Sequence, residues 1–296
     1  MFKGSLVALV TPFDGNNQVD YPSLKGLIDF HVEAGSNGLV IAGTTGESAT
    51  LSRSEHVDLV VRAVEMADGR LPIIAGTGSN STAQTIDLSR AVEDTGIDAF
   101  LVVVPYYNKP VQEGIYQHFT AIADAVDKPI MLYNVPGRTV ADMLPETVAR
   151  LARHDNIFGI KEATGDIGRL RAIQDLVDND FMLYSGDDFT LLPFIEEGGH
   201  GVVTVSGNVV PEQVARLCQL ALAGHSVEAE ALDDTLQALN KVLFIESNPI
   251  PVKWAVSQLG LMGANIRLPL TPFPSQYHEQ MRAAMRLAGV ALEENA

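Results

Sequence analysis

The stretch Ile157-Phe-Gly-Ile-Lys-Glu-Ala-Thr-Gly165 has the composition of a buried β-strand that ends in a polar turn. Its apolar residues follow one another without strict alternation, a pattern typical of parallel strands that are covered on both faces. The run brings Lys161 to the end of the strand, just before a turn that contains glycine. An apolar strand followed by polar residues recurs along the chain, and this repetition decides the fold.

Eight such runs are separated by segments with apolar residues at helical spacing, for example Leu24, Leu27, Ile28 and Val32. The runs are Leu6–Val10, Gly38–Ala42, Ile73–Ala75, Phe100–Val104, Ile130–Leu132, Ile157–Ile160, Phe181–Tyr184 and Val202–Val205. Residues suited to capping flank the helical segments. The predicted N-caps and helix-closing glycines are Ser54, Ser81, Asp166, Gly35, Gly69 and Gly96.

Eight alternating strand and helix units predict an α/β fold, a (β/α)8 TIM barrel over residues 1–224. The competing fold is a doubly wound open sheet, but Gly76-Thr-Gly-Ser-Asn-Ser81 matches only the first half of its GxGxxG signature. Beyond the barrel the chain has helical patterns and no further strand of barrel type. We therefore expect a helical C-terminal extension over residues 225–296.

The composition is that of an acidic globular protein. The chain has 296 residues, is 46% hydrophobic and 19% charged, and carries a formal net charge of −17. This balance argues against nucleic acid as a partner, because phosphate binding needs clustered Lys and Arg. It indicates a solvated acidic surface, with salt adaptation as an alternative. An acidic protein repels anionic substrates at long range, so such a substrate would need a local cation.

The single cysteine, Cys218, excludes an intrachain disulfide and fits a reducing compartment. The N-terminus lacks the features of a signal peptide, and no apolar run is long enough for a membrane span. These patterns predict a cytoplasmic protein with no membrane partner. The histidines form no HExxH or other close pair, so no metal site is expected.

Lys161 has the sequence context of a reactive lysine. Burial disfavours the charged form of an amine, so its pKa is expected to fall. A neutral lysine amine can attack a carbonyl group and form a Schiff base. In a barrel of this type functional residues lie at the C-terminal ends of the strands. Polar and glycine residues are concentrated there, in Thr11–Phe13, Gly43–Ser48, Pro105–Pro110, Leu132–Thr139, Ser185–Asp188 and Ser206–Asn208.

Several of these segments together resemble the dihydrodipicolinate synthase family, within the pyruvate-dependent N-acetylneuraminate lyase superfamily. The matching segments are Gly43–Ser48, Pro105–Asn108, Tyr133–Thr139 and Gly159–Gly165, and the likeness runs from Gly4 to Trp254. The resemblance implies a condensation of pyruvate with aspartate 4-semialdehyde in bacterial diaminopimelate and lysine biosynthesis. It implies no cofactor, since the lysine imine acts as the electron sink.

The resemblance also implies roles for individual residues. Lys161 would form the Schiff base, and Tyr133 would relay protons at the forming imine. Thr44 would connect Tyr133 to Tyr107 and complete a relay of three hydroxyl groups. In the family this second tyrosine enters the site of a neighbouring subunit. The chain would therefore self-associate, with a homotetramer built from two tight dimers as the usual form.

The remaining implied residues bind substrate. Arg138 would supply the local cation for the semialdehyde carboxylate, because a guanidinium offers a planar fork that a lysine lacks. Thr45 would hold the pyruvate carboxylate. Val203 would contribute a backbone carbonyl near the lysine, and Gly186 would line the same pocket.

Many relatives bind lysine as an inhibitor at a cleft between subunits. The matching positions are Ser48, Ala49, His56, Asn80 and Tyr106. Arg53 stands where the inhibited enterobacterial pattern has a histidine, and Gln84 where it has a glutamate. Loss of that carboxylate removes an ion pair with the ligand, so weak or absent lysine inhibition is predicted.

Other interpretations remain open. Read alone, Tyr133 could fill the barrel, Thr44 could cap a helix, Arg138 could pair with surface carboxylates, and Tyr106-Tyr107 could pack an interface. Within the superfamily, an aldolase for sialic acid or 2-keto-3-deoxy sugar acids would keep the lysine and tyrosine but generally lack the arginine. A non-catalytic small-molecule-binding regulator would be free to lose all three residues.

Overall fold

The computed structural model describes residues 2–292, and eight parallel strands within them close into a barrel in sequence order. Each strand pairs with the next, and the first pairs with the last. The strands are β1 Gly4–Ala8, β2 Gly38–Ile41, β3 Ile73–Gly76, β4 Ala99–Val103, β5 Ile130–Asn134, β6 Ile157–Glu162, β7 Met182–Ser185 and β8 Gly201–Thr204. All eight predicted strands and the (β/α)8 barrel are confirmed, with small shifts at the strand ends.

Helices follow the strands and surround the barrel. They are α1 Tyr21–Glu33, α2 Arg53–Ala67, α3 Thr82–Val92, α4 Gln112–Ala123, α5 Pro136–Thr139, α6 Pro145–Leu151, α7 Ile167–Gln174, α8 Leu191–Glu196, α9 Pro211–Leu222, α10 Ser226–Val242, α11 Ile250–Gln258 and α12 His278–Leu287. Of the predicted N-caps, Ser81 and Asp166 are confirmed. Ser54 is wrong: Ser52 caps α2, because Glu55 lies three positions after it and closes a reciprocal capping box.

Two apolar layers bury both faces of every strand. Alternate residues such as Leu6, Val40 and Met131 fill the barrel interior. The residues between them, such as Val7 and Leu39, pack outward against the helices. Burial on both sides explains why the strands are continuous apolar runs in the sequence. Each fully buried Leu, Ile or Val side chain contributes about 1.5–3 kcal/mol.

An irregularity in β6 sets the direction of Lys161. Ile130 of β5 pairs with Ile157, but the next residue, Met131, pairs with Gly159, so β6 carries one extra residue. Such a bulge shifts the inward and outward alternation of the residues that follow it. The shift turns Lys161 toward the barrel interior, opposite Tyr133. Gly159 is required beside it, because a Cβ there would lie 2.4 Å from the carbonyl oxygen of Met182.

After α9 the chain forms a C-terminal extension, α10 to α12, that returns to the end of the barrel where the strands terminate. The helix α10 packs on α9 and α12. Stacking of Trp254 on His278, with ring centroids 4.2 Å apart, joins α11 to α12. Side chains of the extension reach the loop after β2, where Lys253 contacts Glu47 and Asn248 contacts Thr45. Within residues 2–292, no helix has the length and hydrophobicity needed to cross a membrane.

Candidate active site

Lys161 and Tyr133 lie side by side at the ends of β6 and β5. Their Cα atoms are register partners, and Lys161 Nζ lies 4.2 Å from the centroid of the Tyr133 ring. Both side chains are buried, with Lys161 only 5% exposed. The barrel therefore holds an amine inside a poorly hydrated interior, next to a phenol that can donate or accept a proton.

Gly186 makes room for the lysine side chain. A Cβ at this position would lie 2.6 Å from Cβ of Ala163 and 3.0 Å from Cε of Lys161. Only glycine leaves this space open, so the predicted pocket-lining position is next to the amine. Val203, on β8, belongs to the same inner layer as Tyr133.

The outward side of β5 and β6 carries a polar pair directly behind the Tyr133–Lys161 pair. Asn134 Nδ2 donates to Oε2 of Glu162 at 3.1 Å, and the Thr164 amide donates to Oε1 at 2.9 Å. Burial raises the pKa of Glu162, while these hydrogen bonds oppose the rise. The hydrogen bond between Asn134 and Glu162 joins β5 and β6 at the register position next to the Tyr133–Lys161 pair. No pattern in the sequence predicted the pairing of Asn134 with Glu162.

Thr45 and Arg138 are joined by a residue of the C-terminal extension. Asn248 Nδ2 donates to Oγ1 of Thr45 at 3.0 Å, and the Asn248 carbonyl accepts from Nη2 of Arg138 at 3.2 Å. Thr45 and Asn248 are buried, whereas Arg138 is exposed. One asparagine thus links the two residues predicted to bind carboxylates. In the sequence, the segment that contains Asn248 was noted only because it resembles the family, and no role was predicted for Asn248 itself.

A cavity of about 650 Å³ opens at this end of the barrel. Thr44 and Arg138 line it, whereas Lys161 and Tyr133 are not among its lining residues. Positions of the predicted lysine site and its variant residues line the same cavity: Ser48, Ala49, Arg53, His56, Gln84 and Tyr106. Asn80 is not among the lining residues, and its carbonyl accepts from Nδ2 of Asn108 at 2.8 Å.

Tyr107 stands apart from Thr44 and Tyr133. It lies on the loop after β4, 88% exposed and with a left-handed φ of 74°. This backbone conformation costs a non-glycine residue about 1–2 kcal/mol, so the loop is shaped to present the side chain outward. In the single chain the Tyr107 side chain is therefore exposed, whereas that of Tyr133 is buried.

A second buried lysine, Lys253, lies near the site. Its Nζ contacts Oε1 of Glu47 at 2.5 Å, and the two side chains are 1% and 0% exposed. Desolvation lowers the pKa of Lys253 to about 8, although the carboxylate of Glu47 opposes this effect. The burial of Lys253 could not be predicted from the sequence. The residue lies in an almost wholly apolar helix, and the direction in which each side chain of that helix points depends on the tertiary fold.

The buried histidines hold structure together. His56 Nε2 lies 2.8 Å from the carbonyl oxygen of Gly76 and joins α2 to β3. Burial lowers the pKa of both His31 and His118 to about 4, so they are neutral at physiological pH. In the part of the chain that the structure describes, no group of three or more His, Cys, Asp or Glu side chains is placed to hold a metal ion.

A closed (β/α)8 barrel with a buried lysine and tyrosine at the C-terminal ends of its strands has the arrangement found in enzymes that activate carbonyl substrates through a lysine amine. The profile of the Dihydrodipicolinate synthetase family matches residues 1–288. The chain therefore belongs to this family.

Individual relatives support the assignment over the whole chain. The 4-hydroxy-tetrahydrodipicolinate synthase of Ectopseudomonas mendocina is 53% identical over 290 residues, with 98% of this chain and 99% of the relative covered. The enzyme of the same name from Pseudoalteromonas atlantica is 54% identical over 291 residues, with 98% and 99% covered.

Solved structures give the same result. The dihydrodipicolinate synthase of Acinetobacter baumannii, described as chloride inhibited and complexed with pyruvate, superposes with a TM-score of 0.96 at 47% identity, covering 98% of this chain and 100% of the other. A structure described as the first monomeric dihydrodipicolinate synthase variant also has a TM-score of 0.96, at 41% identity and 98% coverage of both chains. The chain is thus a carbon–carbon bond-forming enzyme of this family, whose reaction yields 4-hydroxy-tetrahydrodipicolinate on the route to diaminopimelate and lysine. The predicted family and function are confirmed.

Proposed function

We propose that this chain condenses pyruvate with L-aspartate 4-semialdehyde through an imine on Lys161. The single observation that carries the assignment of the lysine is its position, buried inside the barrel beside the Tyr133 ring at 4.2 Å. The Lys161 amine adds to the keto carbon of pyruvate, and water leaves as the imine forms. Loss of a methyl proton gives an enamine, whose carbon attacks the aldehyde. The amino group of the second substrate then displaces Lys161 and closes the ring.

Protons move through hydroxyl groups in this scheme. Tyr133 exchanges protons at the forming imine, and Thr44 links it to Tyr107 of the partner subunit. A phenol has a pKa near 10, so it needs such a coupled network to exchange protons at neutral pH. The exposure of Tyr107 supports its delivery to a neighbouring site. In this proposal the chain assembles in the cytoplasm into a homotetramer built from two tight dimers.

Both substrates carry carboxylates, and the chain is strongly acidic, so local positive charge and hydrogen-bond donors must hold them. Arg138 binds the carboxylate of the semialdehyde, and Thr45 binds that of pyruvate. Gly186 and the carbonyl of Val203 border the lysine. The hydrogen bonds from Asn248 and to its carbonyl support a shared placement of Thr45 and Arg138.

The same cavity is a candidate lysine-binding site lined by Ser48, Ala49, His56 and Tyr106, with Asn80, the fifth predicted position, outside its lining. Arg53 lies in this region, and its Nε contacts Oδ2 of Asp87 at 2.7 Å. Gln84 offers no negative charge to the ammonium group of lysine. Binding of lysine here is accordingly weak.

The reaction is tested by incubating the protein with pyruvate and aspartate 4-semialdehyde and following the ring product by mass spectrometry. Sialic acid and a 2-keto-3-deoxy sugar acid serve as alternative substrates in parallel. We expect the ring product, with little or no cleavage of the sugar acids. Efficient cleavage of either sugar acid, without ring product, would favour a lyase.

A further inference from the structure

The loop that carries Thr44 and Thr45 ends in a buried carboxylate. Glu47 has a left-handed φ of 56°, and its side chain is completely buried. Its Oε1 contacts Nζ of Lys253, which belongs to α11, 206 positions later in the sequence. The C-terminal extension therefore supplies the counter-ion of a residue in the catalytic loop.

Further contacts fix both partners of this ion pair. Glu47 Oε2 accepts from the backbone amide of Arg267 at 3.1 Å. Lys253 Nζ lies 4.2 Å from the centroid of the Phe13 ring, which adds a cation–π contact. The guanidinium of Arg267 lies over the same ring but forms its ion pair with Glu55, at 2.6 Å. This leaves Lys253 as the cation that balances Glu47.

Glu47 lies close to two residues proposed to bind the substrates, although its own side chain is completely buried. It lines the same cavity as Thr44 and Arg138, and it lies two positions after Thr45. An unpaired carboxylate at this point would repel the carboxylates of both substrates, and a buried charge is screened less than a charge in water. The positive charge of Lys253 neutralises Glu47 and so removes this repulsion, while the Lys253 side chain stays buried outside the cavity.

We propose that Lys253 is a positioning residue for substrate binding, whose ammonium group holds and neutralises Glu47 so that Thr44 and Thr45 meet pyruvate without a competing negative charge. This inference rests on the proposed roles of the two threonines. A purely structural ion pair is the alternative, because loss of one partner of a buried pair destabilises any protein.

The test compares pyruvate KM, kcat and their pH dependence in Lys253→Met, Glu47→Gln and the double variant Glu47→Gln/Lys253→Met. We expect Lys253→Met to raise pyruvate KM about tenfold, with a smaller effect on kcat, as is typical of lost binding interactions. The rise should shrink as the pH is lowered, because a proton on Glu47 removes its charge. The double variant should return KM to within about threefold of wild type.

The pH dependence of pyruvate KM in Lys253→Met can be assigned to Glu47 only if the neighbouring groups keep their protonation states over the same pH range. The charged and titratable groups that line the same cavity or belong to the neighbouring Arg267–Glu55 ion pair are Arg53, Glu55, His56, Asp87, Tyr106, Arg138 and Arg267. The arginines stay protonated, two of them in ion pairs with Glu55 and Asp87. Burial lowers the pKa of His56, which keeps it neutral near pH 7. Arg282→Met, which removes a charge from α12 in the same extension, is the matched control and should leave pyruvate KM unchanged.

A folded Lys253→Met protein with wild-type KM would overturn the proposal. So would a raised KM that is the same at every pH and persists in the double variant, since that pattern indicates a structural role. If Lys253→Met does not fold, Glu47→Gln decides: it should leave KM within about twofold of wild type, and a tenfold rise would contradict charge neutralisation. Failure of the overall function is distinguishable, because wild-type protein would then form no imine with pyruvate.

Discussion

Tyr133 and Lys161 are register partners on neighbouring strands, and the amine lies 4.2 Å from the centre of the phenol ring. The bulge in β6 produces this pairing, since without the extra residue Lys161 would point away from the barrel interior. The reactive geometry therefore depends on backbone register.

Tyr133→Phe keeps the ring that packs beside the amine and removes only the hydroxyl group. If Tyr133 transfers protons, kcat should fall by about 10²–10⁴, while pyruvate KM changes little. Steady-state kinetics on the folded variant provides the measurement. A kcat within threefold of wild type would show that another group relays the protons.

Arg138→Lys keeps a positive charge and loses the planar fork. Loss of a charge-assisted hydrogen bond costs about 1.5–3 kcal/mol, so KM for aspartate 4-semialdehyde should rise at least tenfold. Pyruvate KM should stay near wild type, because Thr45 holds that carboxylate. Equal effects on both substrates would contradict the assignment of Arg138 to the second one.

Asn248→Ala removes the hydrogen bond to Thr45. A hydrogen bond of this kind contributes about 1 kcal/mol, so its loss predicts a rise of roughly fivefold in pyruvate KM. Asn240→Ala is a matched control, since Asn240 is a buried asparagine of the same extension that contacts Ser206 rather than Thr45. It should lower the free energy of unfolding but spare KM. If both variants change KM equally, Asn248 has no special role.

Lys253 should impose a pH dependence on stability. Its pKa is lowered from 10.5 to about 8 in the folded protein, so between these values the unfolded chain binds more protons at this residue. Stability rises with pH wherever the unfolded state binds more protons, here by up to about 1.4 kcal/mol per pH unit. The free energy of unfolding of wild type minus that of Lys253→Met, from urea titrations, should therefore increase from pH 8 to 10.5. A flat or falling difference would show that burial does not hold the pKa down.

Lysine should inhibit this enzyme weakly. Half-inhibition well below millimolar lysine would refute the interpretation of Arg53 and Gln84. Gln84→Glu should strengthen inhibition, because it restores a carboxylate for the ligand's ammonium group. Inhibition curves for wild type and Gln84→Glu, measured side by side, test both statements.

The barrel could be predicted from the sequence because each strand is buried on both faces and therefore leaves a continuous apolar run. Helix starts were less certain: Ser52 rather than Ser54 caps α2, since two serines compete and only one has a glutamate three positions ahead. The division into residues 1–224 and 225–296 stays a prediction.

Contacts between the extension and the catalytic loop could not be predicted. Lys253 and Glu47 are 206 positions apart, and Asn248 and Thr45 are 203 apart. No local periodicity encodes such pairs, which arise only when the extension packs across the barrel end. The β6 bulge could not be predicted either, because it is defined by the pairing of β6 with β5 and not by the sequence of β6 alone.

The most direct test of the imine mechanism is borohydride trapping with pyruvate, followed by peptide mass mapping, with Lys161→Ala as the control. Lys253 is an internal comparison, since it is also buried but ion-paired with Glu47. The account predicts a reduced pyruvyl adduct confined to Lys161 and lost in Lys161→Ala. An adduct on another lysine, or none on folded wild-type protein, would contradict it.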